Sequence, residues 1–212
     1  MLVTQIKPEE EILPKISKKR IFIFECLGCN EVYFPKKKAE NFIDKLKEKT
    51  EIVGKLSCDY LCNREFVGEY IKGYYQEIKR AEIILVFSCG VGTQVLSSLL
   101  EDKIVYTACD TLYLNGFPGL TVQNFNCNLC GECYLNYTGG ICPLTNCPKG
   151  LLNGPCGGAK NGKCEVNPEA DCAWELIYKR LKKQGRLNLL KRVLPPRNYQ
   201  KIIEESSSRE GV

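Results

Sequence analysis

Cysteine spacing constrains this chain more than any other feature of its sequence. Fourteen of the 212 residues are cysteine, and eight of them fall between residues 123 and 172, a stretch rich in Gly, Asn and Pro. Such a segment has little apolar core of its own, so bonds to its thiols must organise it. The chain has no histidine, which excludes Cys₂His₂ zinc fingers, His-ligated haem and Ser-His-Asp or Cys-His catalysis.

The cellular compartment decides whether such thiols form disulfides or bind metal. The first twenty residues carry Lys, Glu and two prolines but no apolar segment of the kind found in a signal peptide. No apolar run approaches the roughly 18 residues that cross a bilayer. We therefore expect a cytoplasmic protein without membrane insertion, whose cysteines are metal ligands.

Residues 20–120 have the pattern of an α/β domain. Short apolar runs predict strands at 21–24, 51–56, 82–87 and 103–106, separated by segments with one apolar helical face. Runs that are apolar throughout are typical of buried parallel strands. We expect a Rossmann- or flavodoxin-like parallel sheet. The predicted helical faces are Ala39, Phe42, Ile43 and Leu46; Phe66, Tyr70, Ile71, Tyr74 and Ile78; Val95, Leu96 and Leu99; and, near the end, Trp174, Ile177, Tyr178 and Leu181.

These patterns divide the chain into four parts. We predict a charged N-terminal arm over 1–19, the α/β domain over 20–120, a cysteine-rich, ferredoxin-like cluster module over 121–172, and a terminal helix with a basic tail over 173–212. Nine Lys or Arg and no acid fall between residues 179 and 201. A basic stretch of this kind suits phosphate, an acidic partner or water alone, and nucleic acid is not the expected partner.

Six cysteines of the α/β domain follow predicted strands. Cys26 and Cys29 follow the first, Cys58 and Cys62 the second, Cys89 the third and Cys109 the fourth. The carboxyl ends of parallel strands meet at the edge where such folds bind ligands. We therefore expect these thiols to converge on one iron–sulfur cluster. The preferred ligands are Cys26, Cys29 and Cys89 with either Cys58 or Cys62, and Cys109 is the reserve.

Two other interpretations of these six thiols stay open. Isolated buried cysteines act as small apolar residues, although they would then be scattered along strands and helices. Cys26-x₂-Cys29 also has the spacing of a thioredoxin-like dithiol. That motif needs a helix N-terminus at its first cysteine to lower the thiol pKa, and residues 30–35 do not predict one.

The remaining eight cysteines have the spacing of cluster ligands. They are Cys127-x₂-Cys130-x₂-Cys133, then Cys142-Pro and Cys147-Pro, then Cys156, Cys164 and Cys172. Cysteines separated by two residues, with a distant Cys-Pro, are typical of bacterial ferredoxins. Eight thiols match two four-thiolate sites. Our first assignment places Cys127, Cys130, Cys133 and Cys147 in one site and Cys142, Cys156, Cys164 and Cys172 in the other. Four-thiolate zinc is the alternative at one site.

Two glycine-containing segments resemble phosphate loops only in part. Gly90 and Gly92 after Cys89 are too few to predict one, and we expect them to let the backbone approach another group closely. Residues 157–163 fit G-x₄-G-K, but Cys164 stands where Ser or Thr should bind Mg²⁺. We therefore do not predict nucleotide binding.

Several longer motifs carry a family resemblance. They are Cys127-x₂-Cys130-Gly131-x-Cys133, Thr138-Gly139-Gly140-Ile141-Cys142-Pro143, Leu151-Leu152-Asn153-Gly154-Pro155-Cys156-Gly157-Gly158, Gly162-Lys163-Cys164-Glu165-Val166 and Cys172-Ala173-Trp174. Together they resemble the cysteine-rich small subunit of acetogen-type methylenetetrahydrofolate reductase. Ser88-Cys89-Gly90-Val91-Gly92 and Pro195-Pro196-Arg197 are similar to it as well.

The resemblance implies a role beside a flavin-bearing catalytic subunit that reduces methylenetetrahydrofolate in the one-carbon reactions of the acetyl-CoA pathway. It implies electron transfer or assembly, two or three [4Fe–4S] clusters, zinc at one site, and a further electron-donor subunit. We expect no catalytic residue in this chain. Cys58 and Cys62 depart from the family pattern, which has one thiol there. The competing hypotheses are a zinc-stabilised binding module that uses its basic tail, and a thiol–disulfide enzyme.

Overall fold

The computed structural model describes residues 2–29, 32–112, 120–122, 125–198 and 200. The elements in chain order are β1 (Leu2–Ile6), α1 (Glu9–Ile16), β2 (Arg20–Cys26), β3 (Val32–Tyr33), α2 (Lys36–Leu46), β4 (Glu51–Cys58), α3 (Arg64–Gly73), α4 (Tyr75–Arg80), β5 (Ile83–Phe87), α5 (Gly90–Leu99), β6 (Ile104–Thr107), β7 (Cys109–Leu112), β8 (Leu120–Val122), β9 (Phe125–Cys127), α6 (Pro143–Asn146), α7 (Ala173–Lys183) and a 3₁₀ turn (Leu187–Lys191).

A four-stranded parallel sheet forms the centre of the molecule. Its strand order is β4-β2-β5-β6. The strands coincide with the four predicted runs, except that β5 and β6 each begin one residue later than predicted. Successive residues of β2 point to opposite faces, so that Ile21 and Ile23 belong to one apolar cluster and Phe22 and Phe24 to the other. The prediction of an α/β fold with a parallel sheet is confirmed. The apolar runs predicted it because both faces of a central strand are buried.

The predicted helical faces are confirmed in part. All four predicted residues of α2 are buried. On the next segment the prediction is wrong at two positions, since Phe66 and Tyr70 are 57% and 43% exposed while Val67 is buried. The segment breaks into α3 and α4 at Tyr74, so one apolar stripe does not continue through it. Tyr178 of α7 is likewise exposed.

The residues predicted as a charged arm form β1 and α1. In a second sheet, β1 lies between β3, to which it is parallel, and β7, to which it is antiparallel. Ile12 and Ile16 of α1 are fully buried in a core cluster of the central sheet. Three glutamates in the first turn of α1 make the segment look solvated, although two isoleucines one helical turn apart are enough to anchor it.

The terminal helix α7 packs back on the rest of the chain, as its apolar stripe predicts. Trp174, Ile177 and Leu181 form a buried cluster with Cys172. Arg180 donates hydrogen bonds to the carbonyl oxygens of Ser97 and Gly139, at 2.8 and 3.2 Å. The division at residue 120 stays a prediction, since residues 113–119 lie outside the described part of the chain.

No helix among the described residues is both long enough and apolar enough to cross a bilayer.

Candidate metal centre

All fourteen cysteines are free thiols, and all but Cys109 fall into three groups. The amino-terminal group contains Cys26, Cys29, Cys58, Cys62 and Cys89. The middle group contains Cys127, Cys130, Cys133 and Cys142, which line one small cavity. The carboxy-terminal group contains Cys147, Cys156, Cys164 and Cys172, which line another. These groups are the sets of residues that could hold a metal.

The amino-terminal group lies at the carboxyl edge of the central sheet. Cys26 and Cys58 end neighbouring strands and stand opposite each other in register. Cys29, Cys62 and Cys89 meet in one apolar cluster. The strand ends thus bring together five thiols that are far apart in sequence, including both Cys58 and Cys62.

Cys109 is set apart from this group. It pairs with Ile6 across the β1–β7 ladder, and its buried side chain belongs to the core cluster that contains Phe34 and Phe87. The chain passes directly from β6 through Ala108 into β7, which turns Cys109 into the core. Of the three thiols considered for the remaining ligand, Cys109 is therefore the one used in packing.

Burial opposes the ionisation of Cys58, Cys62 and Cys89 and raises the pKa of each. Loss of solvent raises the pKa of Cys89 to about 11, although the N–H groups of Gly92 and Val91 partly offset this effect. Burial also raises the pKa of Cys58 to about 11, and the nearby Cys26 and Asp59 add to the shift. Several thiolates cannot coexist here without a cation among them. Cys89 precedes the first residue of α5, where the helix dipole favours negative charge.

The middle group is carried by a tightly wound loop. Leu129 and Gly131 both adopt left-handed backbone conformations, with φ of 50° and 69°, and Leu129 is fully buried. Backbone N–H groups in this loop donate hydrogen bonds to sulfur, each from the residue two positions after the cysteine. The donors are Leu129 to Cys127, Glu132 to Cys130 and Leu135 to Cys133. Burial is the larger effect at all three thiols and raises the pKa of each. The N–H donors offset part of that cost for bound thiolates.

Two cations lie close to the middle group. Lys7 is 3% exposed, forms a 2.8 Å ion pair with Asp110, and opposes the burial effect at Cys133 by lowering its pKa. Arg197 lowers the pKa of Cys130 in the same way. Asp110 also accepts a 2.7 Å hydrogen bond from the backbone N–H of Cys133. Sequence reasoning missed Lys7 and Asp110, and only the position of Asp110 beside a strand-end cysteine could have signalled either.

Cys127 connects the amino-terminal and middle groups. Its side chain packs against the apolar cluster that holds Cys29, Cys62 and Cys89, and it also lines the middle cavity. Gly90 makes this contact possible, because a Cβ at that position would lie 3.0 Å from the Cys127 Sγ. A Cβ at Gly92 would lie 2.3 Å from the Ser88 Oγ. The two glycines therefore admit protein groups at close range.

The cavities change one assignment made from spacing. Cys142 lies with Cys127, Cys130 and Cys133 rather than with Cys164, and Cys147 takes its place in the carboxy-terminal group. The short helix α6 separates the two, with Cys142 before its first residue and Cys147 after its last. One helical turn is enough to direct the two thiols into different cavities, and spacing alone does not reveal it.

The carboxy-terminal group is held by hairpin-like backbone contacts. The N–H of Cys164 donates to the carbonyl of Ala170 at 3.0 Å, and that of Cys172 donates to Gly162 at 2.8 Å. Cys156 is exposed and its thiol donates to the Glu165 carboxylate at 3.0 Å. Within this group Cys156 is thus open to solvent, whereas Cys172 is buried.

The fit to a metal rests on donor type and number. In the part of the chain that the structure describes, no group of three or more Cys, Asp or Glu side chains stands ready to hold a metal ion. Each group nevertheless offers at least four thiols, which suit zinc or an iron–sulfur cluster. The N–H donors and cations of the middle group suit an anionic centre.

Residues 106–200 match the family described as "Methylene-tetrahydrofolate reductase C terminal". Comparisons with curated proteins and with solved structures found no significant match. The matched stretch begins in β6, contains the whole of the middle and carboxy-terminal thiol groups, and runs past Arg197. Over these residues the chain is similar to that family.

Proposed function

We propose that this chain is an iron–sulfur electron-transfer subunit that works with a flavin-bearing methylenetetrahydrofolate reductase catalytic subunit. The family match over residues 106–200 supports the reaction, and the three thiol groups support the electron-transfer role. Each group would hold one centre, with [4Fe–4S] clusters in two or three of them and zinc as the alternative at one.

The observation that carries this proposal is the double contact of Cys127. A relay needs centres that follow one another closely. Cys127 belongs to the middle group, and it also packs against the apolar cluster that contains Cys89 of the amino-terminal group. The middle and carboxy-terminal groups are linked by α6, which is four residues long. A [4Fe–4S] cluster supplies reversible one-electron transfer at a potential set by burial, charge and hydrogen bonds to sulfur. The chain supplies those hydrogen bonds, the buried charges and the exclusion of water.

The competing binding-module hypothesis depends on a basic tail whose cations are free to bind a partner. Several cations of the tail instead form ion pairs or hydrogen bonds within the chain. Arg180 pairs with Glu101 at 2.9 Å, and Lys183 pairs with Asp102 at 2.8 Å. Arg186 is buried and donates to Tyr106 and to the Asn136 carbonyl. These contacts fasten α7 and the following turn to the body of the protein. They favour a structural role for the first half of the tail.

The first test is the metal content of protein purified without oxygen. Two or three cubane clusters correspond to about eight to twelve iron atoms per chain with matching acid-labile sulfide, and zinc at one site would add about one zinc. Electron paramagnetic resonance during a reductive titration then counts the one-electron centres. Zinc without sulfide in all groups would contradict electron transfer.

The partner is tested separately. The chain, tagged and expressed with a flavin-bearing methylenetetrahydrofolate reductase subunit, should copurify with stoichiometric flavin. The reduced chain should then pass electrons to that flavin. The reduction is followed as the loss of the visible absorbance band of the oxidised flavin. Binding without electron transfer would leave an assembly role and refute the relay.

A further inference from the structure

A large cavity beside α7 adjoins the carboxy-terminal thiol cavity, and Pro155 and Trp174 line both. Its volume is about 690 Å³, within the range of small-molecule binding sites. We call it the α7 cavity. Its lining includes Tyr137, Asn153, Trp174, Tyr178, Lys182 and Leu190. No cysteine lines it.

The walls of the α7 cavity are mostly aromatic and aliphatic. Trp174 and Tyr178 are one helical turn apart on α7 and both line it. Tyr178 is 47% exposed and Leu190 39% exposed, so large apolar side chains remain open to solvent at this cavity. Flat aromatic walls and aliphatic side chains suit a planar ring system.

Hydrogen bonds hold the walls in place. Asn153 and Leu194 are joined by two reciprocal bonds: the Asn153 amide donates to the Leu194 carbonyl at 2.9 Å, and the Leu194 N–H donates to Asn153 Oδ1 at 2.8 Å. The Trp174 indole donates to the carbonyl of Leu151 at 3.0 Å. The loop before Cys156, the helix and the tail therefore form a pre-organised concave surface.

The charge of the cavity is positive. Among the described residues, Lys179, Lys182 and Arg192 line it against one carboxylate, that of Glu175, which lies 3.7 Å from the ammonium group of Lys179. The Arg192 guanidinium lies 4.6 Å from the centre of the Tyr137 ring. The described lining therefore has a net charge of +2, and its cations lie beside aromatic rings. Such a combination recognises a ring that carries an anionic group.

We propose that the α7 cavity is a binding site for an aromatic organic anion, with the ring between Trp174, Tyr178 and Leu190 and its carboxylate or phosphate held by Lys182 and Arg192. No thiol lines this site, and the proposal does not rest on the electron-transfer role. Apolar contact supplies most of the binding and the cations supply the preference for an anion.

The experiment uses the full chain purified without oxygen, with metal content measured on the same sample. 1-Anilinonaphthalene-8-sulfonate is titrated first, and its emission gives a dissociation constant. Three compounds that share the naphthalene ring system then compete with it: 1-naphthyl phosphate, 1-naphthoate and the neutral 1-naphthalenemethanol. We expect one saturable site, with at least one of the anions about tenfold tighter than the alcohol. Which anion binds more tightly identifies the head group.

Substitutions locate the site. Lys182→Gln and Arg192→Gln should each weaken the anions about three- to tenfold and leave the alcohol unchanged. Lys183→Gln removes the same charge from the next residue of α7, whose ammonium pairs with Asp102 outside the cavity, and should have little effect. Leu190→Asp should weaken all three compounds. An unsaturable titration, equal affinity for the alcohol and both anions, or equal effects of Lys182→Gln and Lys183→Gln would overturn the proposal.

Discussion

Lys7 and Asp110 form a 2.8 Å ion pair whose side chains are only 2% and 4% exposed. The same carboxylate accepts a hydrogen bond from the backbone N–H of Cys133, so the residue that follows β1 is tied through β7 to the middle thiol group. Burial alone would lower the pKa of Lys7, but Asp110, Cys133 and Glu11 together raise it above its usual value. The ammonium group stays charged at neutral pH.

Lys7→Met should be strongly destabilising. It removes one partner of a buried ion pair, which typically costs about 3–5 kcal/mol. Urea unfolding with metal content held constant measures the change. Lys45→Met, which removes a largely exposed partner of Glu9, should cost less than about 1 kcal/mol.

The double variant Lys7→Met/Asp110→Asn tests the cause. Asparagine keeps an oxygen for the Cys133 N–H but removes the negative charge, so the double variant should be more stable than Lys7→Met alone. If the two substitutions were simply additive, the buried charge would not be the source of the loss.

Gly90→Ala should disturb the contact between the amino-terminal and middle groups. The added methyl would lie 3.0 Å from the Cys127 sulfur, and overpacking of this kind costs about 1–3 kcal/mol. The midpoint temperature of thermal unfolding and the metal content, measured on the same sample, should both decrease. Gly68→Ala is the matched control, since it also lies in a helix and its Cβ would meet nothing within 4 Å. That variant should gain up to about 1 kcal/mol from helix propensity, and equal effects at both positions would argue against the contact.

Cysteine variants should lose metal by group. Cys142→Ser should lose the same centre as Cys130→Ser, and Cys147→Ser the same centre as Cys164→Ser, because each pair lines one cavity. Double variants within a pair should lose no more metal than the single ones, whereas a double variant drawn from both cavities should lose both centres. Cys109→Ala, in the apolar core, should keep full metal content. Co-loss of one centre by Cys130→Ser and Cys147→Ser would restore the assignment made from spacing.

The stability of metal-free, reduced protein should decrease as the pH rises above about 9. The folded pKa of Cys89 is raised by burial from 9.0 to about 11, so the unfolded chain releases its proton first and the folded state keeps it. This favours unfolding progressively between those two pH values, by about 1 kcal/mol per pH unit for this thiol. Urea midpoints at pH 7.5, 9 and 10.5 measure the trend. In Cys89→Ala the free energy of unfolding should decrease less as the pH rises. The same pH dependence in this variant and in the unsubstituted chain would be inconsistent with a buried neutral thiol at Cys89.

Pattern was informative wherever burial is continuous along the chain. Residues 21–24 of β2 and all of β5 are apolar, so both strands and their parallel pairing could be predicted from the sequence. The position of the cysteines at the strand ends followed from that prediction. Pattern failed in α1, where only Ile12 and Ile16 are buried among charged neighbours. It also failed at Phe66 and Tyr70, because a helix break at Tyr74 shifts the buried face.

Sequence alone established where the thiols stand, that histidine chemistry is excluded, and that a parallel sheet collects strand-end cysteines at one edge. Those conclusions depend on residue type and on local periodicity. Tertiary structure decided which thiols share a cavity, that Cys109 belongs to the core, and that Lys7 reaches Asp110 beside Cys133. These relationships join residues far apart in the chain, or depend on a single turn such as α6, and no local pattern encodes a distance between them.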